Sequence, residues 1–184
     1  MIRSAPSRPL DRHQRGASLI EVLVAMLTVA IGMLGIAGLQ ASSLRLSQGT
    51  AVRAAVAADL ADLADRVRSN PGSSPRAYAF DAATPVSGRY AEQRASVANL
   101  GAGRNCENAG TPCTPDELAA DQLVQWRLVL NRDLPGGAGF VTGSRDRGYR
   151  VTVMWQDRTA RDPGCPAPAE VPVGVRCASL EVLP

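Results

Sequence analysis

The chain has 184 residues, room for one domain and an additional segment, and its two Trp, three Tyr and two Phe leave the core to Val, Leu and Ala. The formal charge of +3 lies entirely in the first 16 residues, where Arg3, Arg8, Arg12 and Arg15 stand against Asp11; from Ala17 onward sixteen arginines meet sixteen carboxylates. That balance excludes an extended basic surface of the kind that releases counterions from phosphates, so nucleic acid is not expected as a partner. Every basic residue is Arg and none is Lys, which reads as genomic composition bias.

Ala17 to Leu39 is a run of 23 residues with one charge, Glu21. At ~1.5 Å per residue, such a helix covers about 35 Å against a hydrocarbon core of about 30 Å. Four arginines precede the run and none follows until Arg45, so the positive-inside rule keeps the N-terminus cytoplasmic and sends the rest across. A secretory signal would have an apolar stretch of about 7–15 residues closed by an A-x-A site. This run is longer and has no such site. Two readings remain: an uncleaved anchor, or a segment cut on its cytoplasmic side. Glu21 separates them. A carboxylate in a span costs ~2.5–3.5 kcal/mol at mid-bilayer and less near an end, and no Arg or Lys lies within helical reach on its C-terminal side. A cut after Gly16 would create a positive α-amino group on Ala17, and that group on a neighbouring subunit could pair with Glu21.

The residues Arg15-Gly16-Ala17-Ser18-Leu19-Ile20-Glu21-Val22-Leu23-Val24-Ala25 resemble the class III signal of type IV prepilins and pseudopilins. The resemblance implies a membrane peptidase cutting between Gly16 and Ala17, methylation of the new N-terminus at Ala17, and an assembly role for Glu21, which matches the family's glutamate five residues after the cut. Ala17 stands where the family usually has phenylalanine. The longer stretch from Ser18 to Gln40, with Leu63-Ala64-Asp65-Arg66-Val67-Arg68-Ser69-Asn70, is similar to the PilV family of minor pilins, also called type IV pilus modification proteins.

Gly32, Gly35 and Gly38 recur every three residues. Each costs about 1 kcal/mol in a helix relative to Ala, while small residues permit close helix packing in lipid. The expectation is packing in a fibre core, with local unwinding near Gly38. After Gln40 the pattern changes: Val52, Val56, Leu60, Leu63 and Val67 form a helical stripe, with Asp62–Arg66 and Asp65–Arg68 on the wet side. Ser69-Asn70-Pro71-Gly72 stops the helix. One helix from about residue 17 to Ser69 is predicted, ~80 Å long.

The head comes next. Residues 71–88 read as a loop, and Arg89 to Leu100 as a strand. Thr114-Pro115-Asp116-Glu117 is a capping box with Pro at the first helical position, so a helix starts there with Leu123, Trp126, Leu130 and Leu134 on its apolar face. The carboxylates Asp116 and Glu117 suit its N-terminal dipole. Leu134-Pro135-Gly136-Gly137 ends it. Phe140 to Thr142 reads as a short strand, Ser144 to Gly148 as a turn, and Arg145, Arg147 and Arg150 as solvated side chains around it. Tyr149, Val151, Val153 and Trp155 alternate with Arg150, Thr152, Met154 and Gln156, a strand with two different faces. Val171 to Leu183 is another. Leu134-Pro135-Gly136-Gly137 and Val151-Thr152-Val153-Met154-Trp155 also look like PilV heads.

Cys106, Cys113, Cys165 and Cys177 all lie beyond the span, in an oxidising compartment on this topology. Three pairings are possible. Cys106–Cys113 and Cys165–Cys177 are preferred because each pair brackets a loop rich in Gly, Pro or Asn. The C-x6-C and C-x11-C spacings lack the short ligand spacing of zinc ribbons, and the lone histidine, His13, lies in the leader. Asp146 and Asp157 lack the ordered oxygen ligands of a calcium loop. Without His or Lys in the mature chain, a Ser or Cys nucleophile lacks its usual base. No cofactor or metal is expected, and the head reads as a structural or binding module, not an enzyme.

The expected organisation is a leader over 1–16, an apolar half-helix over 17–39, an amphipathic half-helix over 40–70 and a periplasmic head over 71–184. The fold class is α+β, type IV pilin-like, with the long N-terminal helix packed against an antiparallel sheet. The resemblance implies a minor pilin that primes type IV pilus assembly in a tip complex, supporting twitching motility or adhesion. Its implied partners are other minor pilins, the major pilin, a PilY-type tip adhesin, the prepilin peptidase and the inner-membrane assembly platform. The precursor would sit in the inner membrane, and the assembled subunit in the pilus fibre near its tip. The competing readings are a minor pseudopilin of type II secretion and a membrane-anchored periplasmic binding domain that never polymerises.

Overall fold

The computed structural model describes residues 18–79, 89–101, 103–106, 110, 112–158, 164–166 and 169–184. The elements in chain order are α1 (Leu19–Ser69), α2 (Tyr90–Val97), α3 (Pro115–Asp133), β1 (Ala138–Ser144), β2 (Gly148–Gln156) and β3 (Val175–Val182). The chain divides into two compact units, one ending at Gln48 and one running from Gly49 to Pro184. The long helix and the three-stranded antiparallel sheet make this an α+β protein.

Within the second unit, α1 contributes the stripe read from the sequence. Val56, Leu60, Leu63, Ala64 and Val67 are buried, and Val52 and Ala55 pack against them. Steps of three and four keep these side chains on one face. The opposite face carries Arg66–Asp62 at 2.8 Å and Arg68–Asp65 at 3.0 Å. Exposed pairs of this spacing add only ~0.3–0.5 kcal/mol each, so the buried stripe is what fixes this half of the helix.

Asn70 ends α1 and anchors the next segment. Its Nδ2 donates to the carbonyl of Pro115 at 2.7 Å and to the Tyr78 hydroxyl at 3.1 Å. Tyr78 is fully buried against the edge of Tyr149, and its hydroxyl donates to Gln122 Oε1. The described part of the predicted 71–88 loop, up to residue 79, consists of turns and bends; the remainder lies outside the described residues.

The predicted strand over Arg89–Leu100 is not present. The segment forms α2 instead. Ala91, Glu92, Gln93, Arg94 and Ala95 are good helix formers, and the buried residues Tyr90, Gln93 and Val97 fall at i, i+3 and i+7, a helical period rather than an alternating one. The burial of Gln93 hides that period, because a polar residue occupies the inward position. Arg127 on α3 donates to its Oε1 at 3.1 Å, satisfying it there.

α3 begins as the sequence predicts. Thr114 N donates to Glu117 Oε2 at 2.9 Å, and Glu117 N donates to Thr114 Oγ1 at 3.3 Å. The bond from Thr114 N first, then the Thr114 hydroxyl and the charge of Arg104, hold the partly exposed Glu117 carboxyl below the usual range. Trp126, Leu130 and Leu134 are buried and Leu123 packs against them. The Trp126 indole N–H donates to the Asp59 carbonyl at 3.0 Å, fastening α3 to α1. A Cβ at Gly139 would lie 2.5 Å from Trp126 Cη2, so β1 can pass under the indole only with glycine there.

The sheet order is β1-β2-β3, antiparallel throughout, with Ala138 opposite Met154 and Tyr149 opposite Val182. β1 extends to Ala138 and Ser144, beyond the predicted Phe140–Thr142. Tyr149, Val151, Val153 and Trp155 enter the core shared with α1 and α3. The other face of β2 is half buried: Met154 and Thr152 are fully inaccessible, while Arg150 and Gln156 are exposed. A second cluster of Tyr90, Ala138, Phe140, Met154, Ala169, Val175 and Cys177 covers one end of that face. β3 starts at Val175 rather than at the predicted Val171. Pro172 has no N–H for a ladder, its carbonyl accepts from Val175 N at 3.3 Å, and Gly174 has φ 84°, so the chain turns before the strand begins.

Asp59 illustrates a pH effect. Burial, then the charges of Asp133 and Asp62, push its carboxyl above the ordinary value of 3.8, with Arg132 opposing. Among the described residues its buried Oδ2 has no hydrogen-bond partner. A raised folded-state value means the native chain holds the proton more tightly. The associated stability is complete below 3.8 and is lost as pH rises through the folded value. Asp59→Asn is therefore expected to remove that loss and raise the urea midpoint at neutral pH, measured against pH for both chains. An unchanged pH profile would show that Asp59 does not carry the effect.

Candidate assembly interface

Gly16 and Ala17, the residues of the predicted cut and methylation, lie outside the described residues. Ser18 precedes α1, and its carbonyl accepts from Glu21 N at 2.9 Å and Val22 N at 3.3 Å. Glu21 thus sits in the first turn, where the unpaired N–H groups and the helix dipole favour a negative charge.

From Leu19 to Ala51 every described side chain is exposed. The large apolar ones include Leu19, Ile20, Leu23, Met26, Leu27, Ile31, Met33, Leu34, Ile36 and Leu39. They surround the helix rather than line one face, so no packing against a single side could cover them. By length and composition, among the described residues, α1 is the one helix able to cross a membrane. A Cβ at Gly32, Gly35 or Gly38 would meet no atom within 4 Å. Among the described residues nothing requires glycine at those positions, although each weakens the helix by about 1 kcal/mol.

In the head, Cys106 is joined to Cys113 and Cys165 to Cys177, with Cα separations of 5.9 and 4.9 Å. The Asp121 carboxylate, buried on α3, accepts from Asn105 N at 3.0 Å and Cys106 N at 3.1 Å and so holds the first disulfide loop. The second bond ties the 164–166 segment to β3, beside Ala169 in the cluster on the far face of the sheet. Among the described residues no group of three or more His, Cys, Asp and Glu could hold a metal. Asp157 pairs with Arg176 at 3.4 Å, and Asp146 lines an open cleft with Pro75, Arg76 and Arg147.

The reading of Arg145 as a solvated turn residue is corrected. Its Nη2 donates to the Asn70 carbonyl at 2.9 Å and to Ser73 Oγ at 2.6 Å, and its N–H donates to the Pro75 carbonyl at 2.8 Å. Tyr149 OH donates to the same Pro75 carbonyl at 2.7 Å. The β1–β2 turn therefore grips the segment just after α1. No local pattern announces this, because the partners lie some 75 positions away. Arg150 pairs with Glu181 at 2.6 Å across the sheet. Arg145→Met is expected to cost ~1–3 kcal/mol by leaving buried acceptors short of a donor, and to speed proteolysis within 70–79. Wild-type cleavage rates would show the grip to be dispensable.

Residues 11–38 match the family described as the prokaryotic N-terminal methylation motif. The match covers residues 11–38 alone and ends within the apolar half of α1. No curated protein and no solved structure matches the chain.

Proposed function

We propose that this chain is a minor pilin of a type IV pilus. A membrane peptidase removes residues 1–16 by cutting after Gly16. The new N-terminal amine of Ala17 is then methylated, and the precursor waits in the inner membrane with its head in the periplasm. On assembly, Glu21 meets the N-terminal amine of a neighbouring subunit inside a bundle of apolar helices. The subunit primes fibre growth with other minor pilins and remains near the tip, beside the major pilin and a PilY-type adhesin. The two disulfides support a head built for the oxidising side of the membrane.

One observation carries the reading. The methylation motif over residues 11–38 runs into a helix whose apolar side chains are exposed on every side. An exposed apolar surface of this extent marks a lipid or protein contact, and the glycines at 32, 35 and 38 give neighbouring helices room to approach. Mass spectrometry of the N-terminal peptide from sheared surface fibres tests processing and incorporation together. The expected peptide begins at Ala17 and carries one added methyl group. Recovery of only the full-length chain, confined to the inner membrane, overturns the proposal.

A further inference from the structure

We infer that the cleft between the β1–β2 turn and the segment after α1 binds a sugar acid, a hydroxylated ligand carrying one carboxylate. The cleft lies wholly within the head, so it stands or falls apart from the membrane and assembly roles proposed above. Its volume is about 410 Å³, and its lining is Pro75, Arg76, Gly143, Ser144, Asp146 and Arg147. Small-molecule sites run from ~300 to 1,000 Å³. The two sides of the cleft are locked together. The Pro75 carbonyl accepts from Arg145 N at 2.8 Å and from Tyr149 OH at 2.7 Å, and Arg145 Nη2 donates to the Asn70 carbonyl at 2.9 Å. A Cβ at Gly143 would lie 2.3 Å from the Gly148 carbonyl oxygen, so the lining carries no side chain at that point. A ligand meets donors and acceptors already in place, and no loop need be ordered on binding.

The lining groups decide the ligand. Arg145 is occupied by Asn70 and Ser73. A second cleft shares Gly143 and Arg147, but there Arg150 is matched by Glu181 at 2.6 Å. Among the described residues, the Arg147 guanidinium, the Asp146 carboxylate and the Ser144 hydroxyl make no hydrogen bond or ion pair. Arg147 and Asp146 are neighbours in sequence and still do not pair. The planar fork of an arginine matches a carboxylate, and Arg76 brings a second cation to the same cleft. Arg76 and Arg147 against Asp146 leave one net positive charge, which suits a monoanion. A phosphate monoester carries ~1.5 to 2 negative charges and would be repelled by Asp146. An ionised carboxylate only accepts hydrogen bonds, so a ligand beside Asp146 must also bring donors, and hydroxyls bring them. A peptide would need apolar ground for its neighbouring side chains, and among the lining residues Pro75 alone has an apolar side chain.

The test is titration of the full-length chain in detergent micelles with D-glucuronate, followed by amide chemical shifts. Saturable shifts are expected at 75–76 and 142–150. D-Glucose, which lacks the carboxylate, is expected to give none. Acetate, inorganic phosphate and glutamate are expected to bind more weakly than glucuronate. Arg147→Gln is expected to weaken glucuronate by about tenfold or more, the loss of a hydrogen bond to a charged group. Its urea midpoint is expected to match wild type. Asp146→Ala is expected to narrow the preference for glucuronate over acetate, because it removes the acceptor for ligand hydroxyls and the repulsion of the carboxylate together. No saturable shift, binding of glucose, binding of phosphate or glutamate as tight as that of glucuronate, or wild-type affinity in Arg147→Gln overturns the assignment.

Discussion

Glu21→Ala is expected to enter the membrane as the wild-type chain does and to fail at incorporation into surface fibres. Removing the carboxylate lowers the cost of burying the segment, so insertion is not the step at risk. What is lost is the proposed pairing with a neighbour's N-terminal amine. Truncating one partner of a buried ion pair costs ~3–5 kcal/mol, because the other charge stays buried alone. That is more than about a hundredfold in association. Quantitative immunoblots of membrane and sheared-fibre fractions separate the two steps. Glu21→Gln keeps the shape without the charge and is expected to fail nearly as badly. Normal amounts of either variant in the fibre fraction would sink the pairing.

The second large effect concerns the head. Leu63→Ala is expected to lower stability by ~2–5 kcal/mol, the usual cost of emptying a buried leucine site. Leu63 is fully inaccessible and belongs to the core that holds Trp126, Trp155, Tyr149 and Val151. Such a loss takes a large part of the ~5–15 kcal/mol available to a domain. The two tryptophans share that core, so urea unfolding of the detergent-solubilised chain can be followed by their fluorescence. A midpoint within error of wild type would mean that the α1 stripe is not what seats the helix. The apolar half of α1 is outside this core, so a Leu34→Ala control is expected to leave the midpoint unchanged.

The parts of the fold that can be read from the sequence are those fixed by neighbours in the chain. The capping box at Thr114–Glu117 is a local exchange of hydrogen bonds, and the stripe from Val52 to Val67 is a period. Both appear where expected. The alternation of Tyr149 to Trp155 locates β2, but it does not show that Thr152 and Met154 are also covered. Part of that cover, over Met154, comes from Tyr90 and from Ala169 in distant segments. α2 escapes a reading by period because its inward-facing Gln93 finds its partner in Arg127, 34 positions later. At the N-terminus the legible feature is composition, since a long run with a single carboxylate needs no tertiary partner to be recognised.

The grip of the β1–β2 turn on the segment just after α1 sets an order of events during synthesis. Val56 to Val67 leave the ribosome early, but the strand that covers them, Tyr149 to Trp155, comes some 85 residues later. At about 5–20 residues per second, that is a delay on the order of 5–15 s. Throughout it the amphipathic half of α1 has no sheet to lie on, and Arg145 has not arrived to hold Asn70 and Ser73. β3, whose Val182 closes against Tyr149, comes last of all. The head therefore completes its core only after β3 has been made, and until then the apolar stripe of α1 lacks part of its cover.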